Sequence, residues 1–349
     1  MAAATTGKPK VVIVGAGLGG VMLATLLEKC HVPYLVVERA AVVKPLGSAI
    51  TIGSTILPVF EQLHIADELC AIGTPWTHYN TFDESKQLIL SADFSAAVGL
   101  TRYRQYILAR PALYDLLLKQ IPPEKVHFAK RVTTIIDDGD KVQVETADGS
   151  LFKGDILVGA DGAYSTVRQQ LYERLFKEGK LPESDQEELP FSCICLVGQT
   201  TPLNHEEFPI FKEPLGQLMA TLGNDNAYSY LLFTTAPSTI SWMTMHHLDK
   251  VANKSTYNSQ RDHTSSNLQW GPNAAKAMCD ETREFPLPIG DGTLTMGDMY
   301  DRTPQDLISK VSLEEKVFET WYSGRTVLLG DACYKMHPSG GRGALSLRD

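Results

Sequence analysis

The sequence predicts an α/β fold: a Rossmann-like dinucleotide-binding domain with a parallel sheet, plus an inserted, mostly antiparallel β-sheet domain. Three observations carry this. Residues 11–14 are a β-branched run that leads into a glycine-rich turn and a helical apolar pattern. Residues 326–329 return to the same buried-strand character near the end of the chain. Between them, residues 191 to about 248 alternate apolar and polar side chains with few helix signals, as antiparallel strands do.

The elements follow in order. Residues 11–14 form a strand buried on both faces, residues 15–20 the turn, and residues 21–29 a helix. Residues 34–37 form a second buried strand ending at Glu38. Together they make a βαβ unit of about 30 residues. Residues 110–120 predict an amphipathic helix with Pro111 in its first turn. Residues 126–128, 131–136 and 141–146 predict short strands, and the turn at Asp148-Gly149 leads into a buried strand over 151–158. Residues 177–189 are charged and contain a proline, so they read as a surface loop or linker. Residues 249–271 are polar and read as loop plus helix.

Composition sets limits. Of 349 residues, 43% are hydrophobic and 21% charged, an ordinary globular profile. The net charge is −9, which argues against nucleic acid as a partner but not against an anionic ligand held by local arginines. The first ten residues lack the apolar stretch of a secretory signal, and no apolar run approaches the ~18 residues of a membrane span. A cytosolic location is the default, with loose membrane association left open. The six cysteines form no metal pattern with His246 and His247 and read as reduced structural thiols. Cys193 and Cys195 alternate along a strand and share a side.

Gly15-Ala16-Gly17-Leu18-Gly19-Gly20 satisfies the G-x-G-x-x-G pattern. Gly15 permits the sharp turn, Gly17 lets amides near Leu18 approach a pyrophosphate, and Gly20 lets helix pack on strand. The helix N-terminus adds N–H donors and partial positive charge. Glu38 follows at the end of the next strand, where a carboxylate accepts ribose hydroxyls, with Arg39 beside it. A glycine-rich turn without ligand is the competing reading. The motif alone does not separate FAD from NAD.

Two further stretches carry a resemblance. Residues 154–168, with Asp161, Gly162, Ser165 and Arg168, resemble the DG motif of single-component flavin-dependent monooxygenases, the para-hydroxybenzoate hydroxylase superfamily. A plain reading coexists with it: a strand-to-helix turn capped by Ser165. Residues 325–344 resemble the same family's GD motif, through Gly330, Asp331, Pro338, Gly341 and Gly343. Tyr334 stands where the family usually has His, and Ala344 where it often has Asn; fungal members relax both positions. Arg110 matches an arginine that reaches FAD in the family, and Gly47-Ser48-Ala49 resembles its loop near the flavin. Arg102 and Arg104 lie close by, facing either phosphate or solvent. The resemblance covers residues 10–170 and 325–349.

The resemblance implies FAD as cofactor, with Asp331 at its ribityl and phosphate part and the 338–344 turn along the ring edge. It implies NADPH or NADH as electron donor, dioxygen as co-substrate, and hydroxylation or epoxidation of a hydrophobic or aromatic small molecule through a flavin C4a-hydroperoxide. A same-fold flavin reductase or dehydrogenase and a truncated flavin-binding protein are the alternatives. Residues 1–75, 100–170 and 325–349 would bind FAD; residues 76–99 and 171–324 would form the substrate domain. Substrate contacts are expected around Cys193, Cys195, Tyr228, Tyr230, Phe233, Trp242 and Met245, against a competing reading as core packing. His246 and His247 read as acid–base groups or strand-end structure; no catalytic side chain is assigned. The sequence stops at Asp349, a few residues into the helix that Gly343 opens. That predicts either a C-terminally truncated chain or a compensated natural end, and exposed apolar surface that favours a homodimer.

Overall fold

A computed structural model describes residues 8–44, 46–223, 227–248, 272–290 and 292–336. Its first sheet has six strands in the order Tyr322–Ser323, Thr326–Leu328, Ile156–Gly159, Val11–Val14, Tyr34–Val37 and Val126–His127. Only the Tyr322–Ser323 edge strand runs antiparallel; Val11 pairs in parallel with both Tyr34 and Ile156. The β-branched run at 11–14 sits centrally because both its faces are covered. Val11 and Ile13 face one core, with Val21 and Met22 of helix Leu18–Lys29 and Leu113 of helix Arg110–Leu118. Val12 and Val14 face the other, with Val167 and Leu171 of helix Thr166–Lys177. Each such buried side chain contributes roughly 1.5–3 kcal/mol.

A small antiparallel sheet orders Ala49–Ile52, Gln105–Ala109 and Thr74–Trp76. A large sheet orders Ser309–Glu314, Phe191–Gln199, Thr239–His247, Tyr228–Thr235, Leu218–Leu222, His78–Phe82 and Leu88–Asp93. It is antiparallel except where Leu218–Leu222 meets His78–Phe82. The α/β architecture, with one parallel sheet and a mostly antiparallel one, is the one the sequence predicts.

The two faces of the large sheet differ. Leu196, Tyr230 and Trp242 lie on one face, buried with Met278 and Met299 of helices Pro272–Thr282 and Met296–Asp301. Cys193, Cys195, Val197, Met245 and Leu313 cluster on the opposite face. Further along that face, Leu218 and Phe233 pack against Trp76, Ile107 and Ala49 of the small sheet. Tyr228, Tyr230 and Trp242 therefore leave the group of expected substrate contacts: strand alternation and the covering helices put them in a core. No described helix is long and apolar enough to cross a membrane. The loop and helix expected over 249–271 lie outside the described residues.

Candidate functional site

The strand Val11–Val14 ends at Gly15, whose φ of +106° suits glycine. A Cβ there would lie 2.3 Å from the Ala160 carbonyl oxygen, and one on Gly20 would lie 1.9 Å from the Gly15 carbonyl oxygen. These two glycines exist for close backbone packing. Gly17 differs: its backbone is extended, and nothing lies within 4 Å of its would-be Cβ. It caps the helix that Leu18 begins, so amide donors face open space. Glu38 stands beside them. One carboxylate oxygen accepts the Ala16 N–H at 2.8 Å and the other the Ala40 N–H at 2.8 Å. Each oxygen keeps a further lone pair for another donor. Arg39 is exposed at the same corner.

The second part is built around Arg110. Its N–H donates to the Ser48 carbonyl at 3.1 Å, and its guanidinium donates to the Leu46 carbonyl at 3.0 Å. Gly47, with φ +120°, makes room; a Cβ there would lie 2.9 Å from Arg110 Cδ. The Arg110 side chain is reached by solvent, yet surrounding protein lowers its pKa, against the pull of Asp331 and then Tyr114. The Ser48 hydroxyl and the Tyr114 hydroxyl are buried without hydrogen-bond partners. Burial raises the Tyr114 pKa first, and the Glu38 charge raises it next. Glu38, Tyr114, Arg110 and Asp331 thus form an electrostatically connected string.

The 161–168 turn is knit locally. Asp161 accepts the Thr166 N–H at 2.6 Å and the Ser165 hydroxyl. Ser165 accepts the Arg168 N–H at 2.9 Å, the helix cap that the residue order suggests. Burial still raises the Asp161 carboxyl above the usual range despite these bonds. Gly162 turns with φ +85°. The buried Arg168 guanidinium donates to the Ala163 and Ala332 carbonyls and lies 4.3 Å over the Phe318 ring. Asp331 lies in the single turn Gly330–Ala332. Burial raises its carboxyl, Lys335 and Arg110 hold it down, and Glu314 pushes it up. Glu314 is 3% exposed and binds both Lys335 and the Tyr164 hydroxyl.

A family model described as "FAD binding domain" matches residues 8–206, more than half of the chain. The chain belongs to the FAD-binding domain family. FAD is its cofactor. The FAD-dependent monooxygenase DEP2 of Alternaria brassicicola is 27% identical over 338 residues, covering 96% of this chain and 60% of that protein. The FAD-dependent monooxygenase paxM of Penicillium paxilli is 27% identical over 348 residues, covering 96% of this chain and 66% of that protein. The chain thus spans less than two thirds of the length of these relatives. Among solved structures, Klebsiella pneumoniae HpxO with FAD and uric acid matches at TM-score 0.74 and 19% identity, over 97% of this chain and 76% of that one. The 2,6-dihydroxypyridine-3-hydroxylase of Arthrobacter nicotinovorans matches at TM-score 0.71 and 16% identity, over 98% and 81%. These two likenesses concern the fold.

The described residues of this FAD-binding protein suit the cofactor. The glycine cradle, the Glu38 carboxylate, the Arg110 cation and two partnerless hydroxyls offer what phosphates and ribose hydroxyls need. Pro338, Gly341, Gly343 and Ala344 lie outside the described residues. Other candidates separate by their surroundings. The Cys193 thiol is pushed up to about 12 by burial, which makes it an inert packing group. His246 stacks on Tyr228 at 4.4 Å, and burial lowers its pKa. His247 bonds the Ser229 hydroxyl at 2.7 Å. Both histidines have structural partners. Sequence reasoning missed Tyr114, Tyr164, Glu314 and Lys335. Only Tyr114 carried a signal, since it lies four residues after Arg110 on one helix face.

Proposed function

We propose that this FAD-binding protein is an NAD(P)H- and dioxygen-using monooxygenase that hydroxylates or epoxidises a hydrophobic or aromatic small molecule. The observation that carries it is the double position of Ala49. It opens the strand that follows Ser48, whose carbonyl accepts the Arg110 N–H, and it packs on the apolar Ile107, Leu218 and Phe233 cluster between the two sheets. The Arg110 loop and the apolar cluster between the sheets are therefore joined at this residue. The names of the fungal relatives support the same reading.

In this proposal, Gly15, Gly17, Leu18 and Gly20 hold the pyrophosphate, and Glu38 takes the ribose hydroxyls with Arg39 alongside. Arg110 and Asp331 hold the phosphate and ribityl part. Gly47, Ser48 and Ala49 border the ring, Asp161 and Gly162 back the site, and the 338–344 turn lies along the ring edge. Residues 76–99 and 171–324 form the substrate domain. Bound FAD supplies the electron transfer from NADPH or NADH to dioxygen and the oxygen delivery. The chain's own part is to orient the substrate and exclude water with the apolar sheet face.

The test is an absorption spectrum of protein purified with FAD, then NADPH and NADH oxidation with phenols and terpenoids under isotopically labelled dioxygen. Label in the product supports the proposal. Reduced substrate without label selects a reductase instead. A colourless protein that takes up no FAD removes both readings.

A further inference from the structure

The small sheet presents Trp76, Gln105 and Ile107 toward the large sheet, by the register pairs Trp76 with Gln105 and Thr74 with Ile107. Trp76 is 6% exposed, and its indole N–H is buried without a hydrogen-bond partner. Such an unmade donor is costly in a folded protein. A trapped water needs about two to four polar partners. Ile107, Leu218 and Phe233, which pack with Trp76, supply none, and neither Gln105, its cross-strand neighbour, nor Tyr79, packed on the same cluster, bonds the indole. Ala49 packs on this cluster and directly follows Ser48, whose carbonyl accepts the Arg110 N–H. At the outer end the Phe94 ring lies 5.3 Å from the indole and is 41% exposed. The cluster therefore links the exposed Phe94 to Ala49, the residue after Ser48, with the unmade Trp76 donor between them.

We propose that the Trp76 indole N–H is the anchoring donor of a substrate subsite, taking a carbonyl or hydroxyl oxygen carried on a bulky apolar molecule that enters past Phe94. The apolar walls select the body of the ligand, and the unmade indole donor fixes which end points inward. A hydrocarbon of the same shape would leave the donor unmade, so the subsite discriminates by hydrogen bonding rather than by size. The inference deepens the monooxygenase reading and rests on it for the fate of the bound molecule.

The test uses FAD-supplemented protein with nitrogen-15 in its tryptophan side chains, titrated with 1-tetralone and with tetralin. The Trp76 indole resonance is the one that Trp76→Phe removes. If that variant does not fold, Trp242→Phe, Trp270→Phe and Trp321→Phe identify it by elimination. The ketone should shift the Trp76 resonance and the hydrocarbon should leave it in place. Trp76→Phe should weaken ketone binding about tenfold, the worth of one buried hydrogen bond. A Trp76 resonance that ignores the ketone, or follows both probes equally, overturns the subsite. A ketone-dependent shift in protein that takes up no FAD would leave the subsite standing and remove the monooxygenase reading. Coupled turnover with an unmoved Trp76 would do the reverse.

Discussion

The Arg168 guanidinium donates to the Ala332 carbonyl at 2.9 Å, joining two turns that lie 164 residues apart. One turn follows the strand Ile156–Gly159, and the other follows Thr326–Leu328, its neighbour in the parallel sheet. A second N–H of the same guanidinium closes on Ala163, and Phe318 lies against its flat face. The cation is buried without an ion-pair partner among the described residues, so its value lies in these two carbonyls. Arg168→Met removes both donors and relieves the desolvated charge. The net loss should be about 2 kcal/mol, because unsatisfied buried carbonyls outweigh the relief. A urea midpoint equal to that of the parent would remove Arg168 as the tie between the turns.

The three glycines of the first turn should respond differently to one added methyl group. Gly20→Ala puts a carbon 1.9 Å from the Gly15 carbonyl oxygen, backbone that cannot step aside. Gly15→Ala combines a 2.3 Å clash with an unfavourable positive φ. Both should lower soluble yield and melting temperature. Gly17→Ala meets nothing within 4 Å and needs no positive φ. It should fold normally and lose FAD affinity, because the methyl fills space in front of the helix amides. Thermal melts without cofactor, paired with flavin-fluorescence titrations, separate the classes. A Gly17→Ala protein with parental FAD affinity would place the pyrophosphate elsewhere.

Asp331 should set stability against cofactor binding. Burial raises its carboxyl above the ordinary 3.8, and Lys335 and Arg110 only partly offset this. Folding therefore favours the protonated form. The stability from this group is fully present below the unfolded-state value and is lost as pH rises through the higher folded-state value. At neutral pH the ionised side chain is a standing cost in the FAD-free protein. Asp331→Asn should raise the FAD-free melting temperature at neutral pH. It should also remove part of the stability loss seen as pH climbs from 3.8. FAD affinity should fall by about tenfold, the scale of one charge-assisted bond. Parallel pH-dependent melts of parent and variant check the sign.

Local features were the legible ones. The turn from Gly15 to Gly20 and the carboxylate of Glu38 lie in one βαβ unit, where spacing fixes geometry. Alternation correctly paired Cys193 with Cys195 on one face. It could not tell which face the helices cover. That depends on helices Pro272–Thr282 and Met296–Asp301, far along the chain, and they claim Tyr230 and Trp242. The Tyr164, Glu314 and Lys335 contact joins three segments that share no motif. A buried carboxylate at the end of a strand announces itself only once its partners converge.

Tyr114 gives the sharpest separation between a structural and a ligand-directed hydroxyl. Its oxygen is buried without a hydrogen-bond partner, and burial raises its pKa most, with Glu38 and Asp115 adding to the rise and Arg110 opposing it. If the hydroxyl served the fold, its removal would break a bond, and no such bond exists. Tyr114→Phe should therefore leave FAD-free stability unchanged or slightly higher, since an unsatisfied buried polar group disappears. The ring keeps its place on helix Arg110–Leu118, so packing should survive. FAD affinity should drop about three- to tenfold, the net worth of one hydrogen bond. The measurements are urea unfolding of FAD-free protein and titration of flavin fluorescence. Loss of stability with unchanged FAD affinity would mean that the hydroxyl meets a protein group, and the string from Glu38 to Asp331 would then be interrupted at Tyr114.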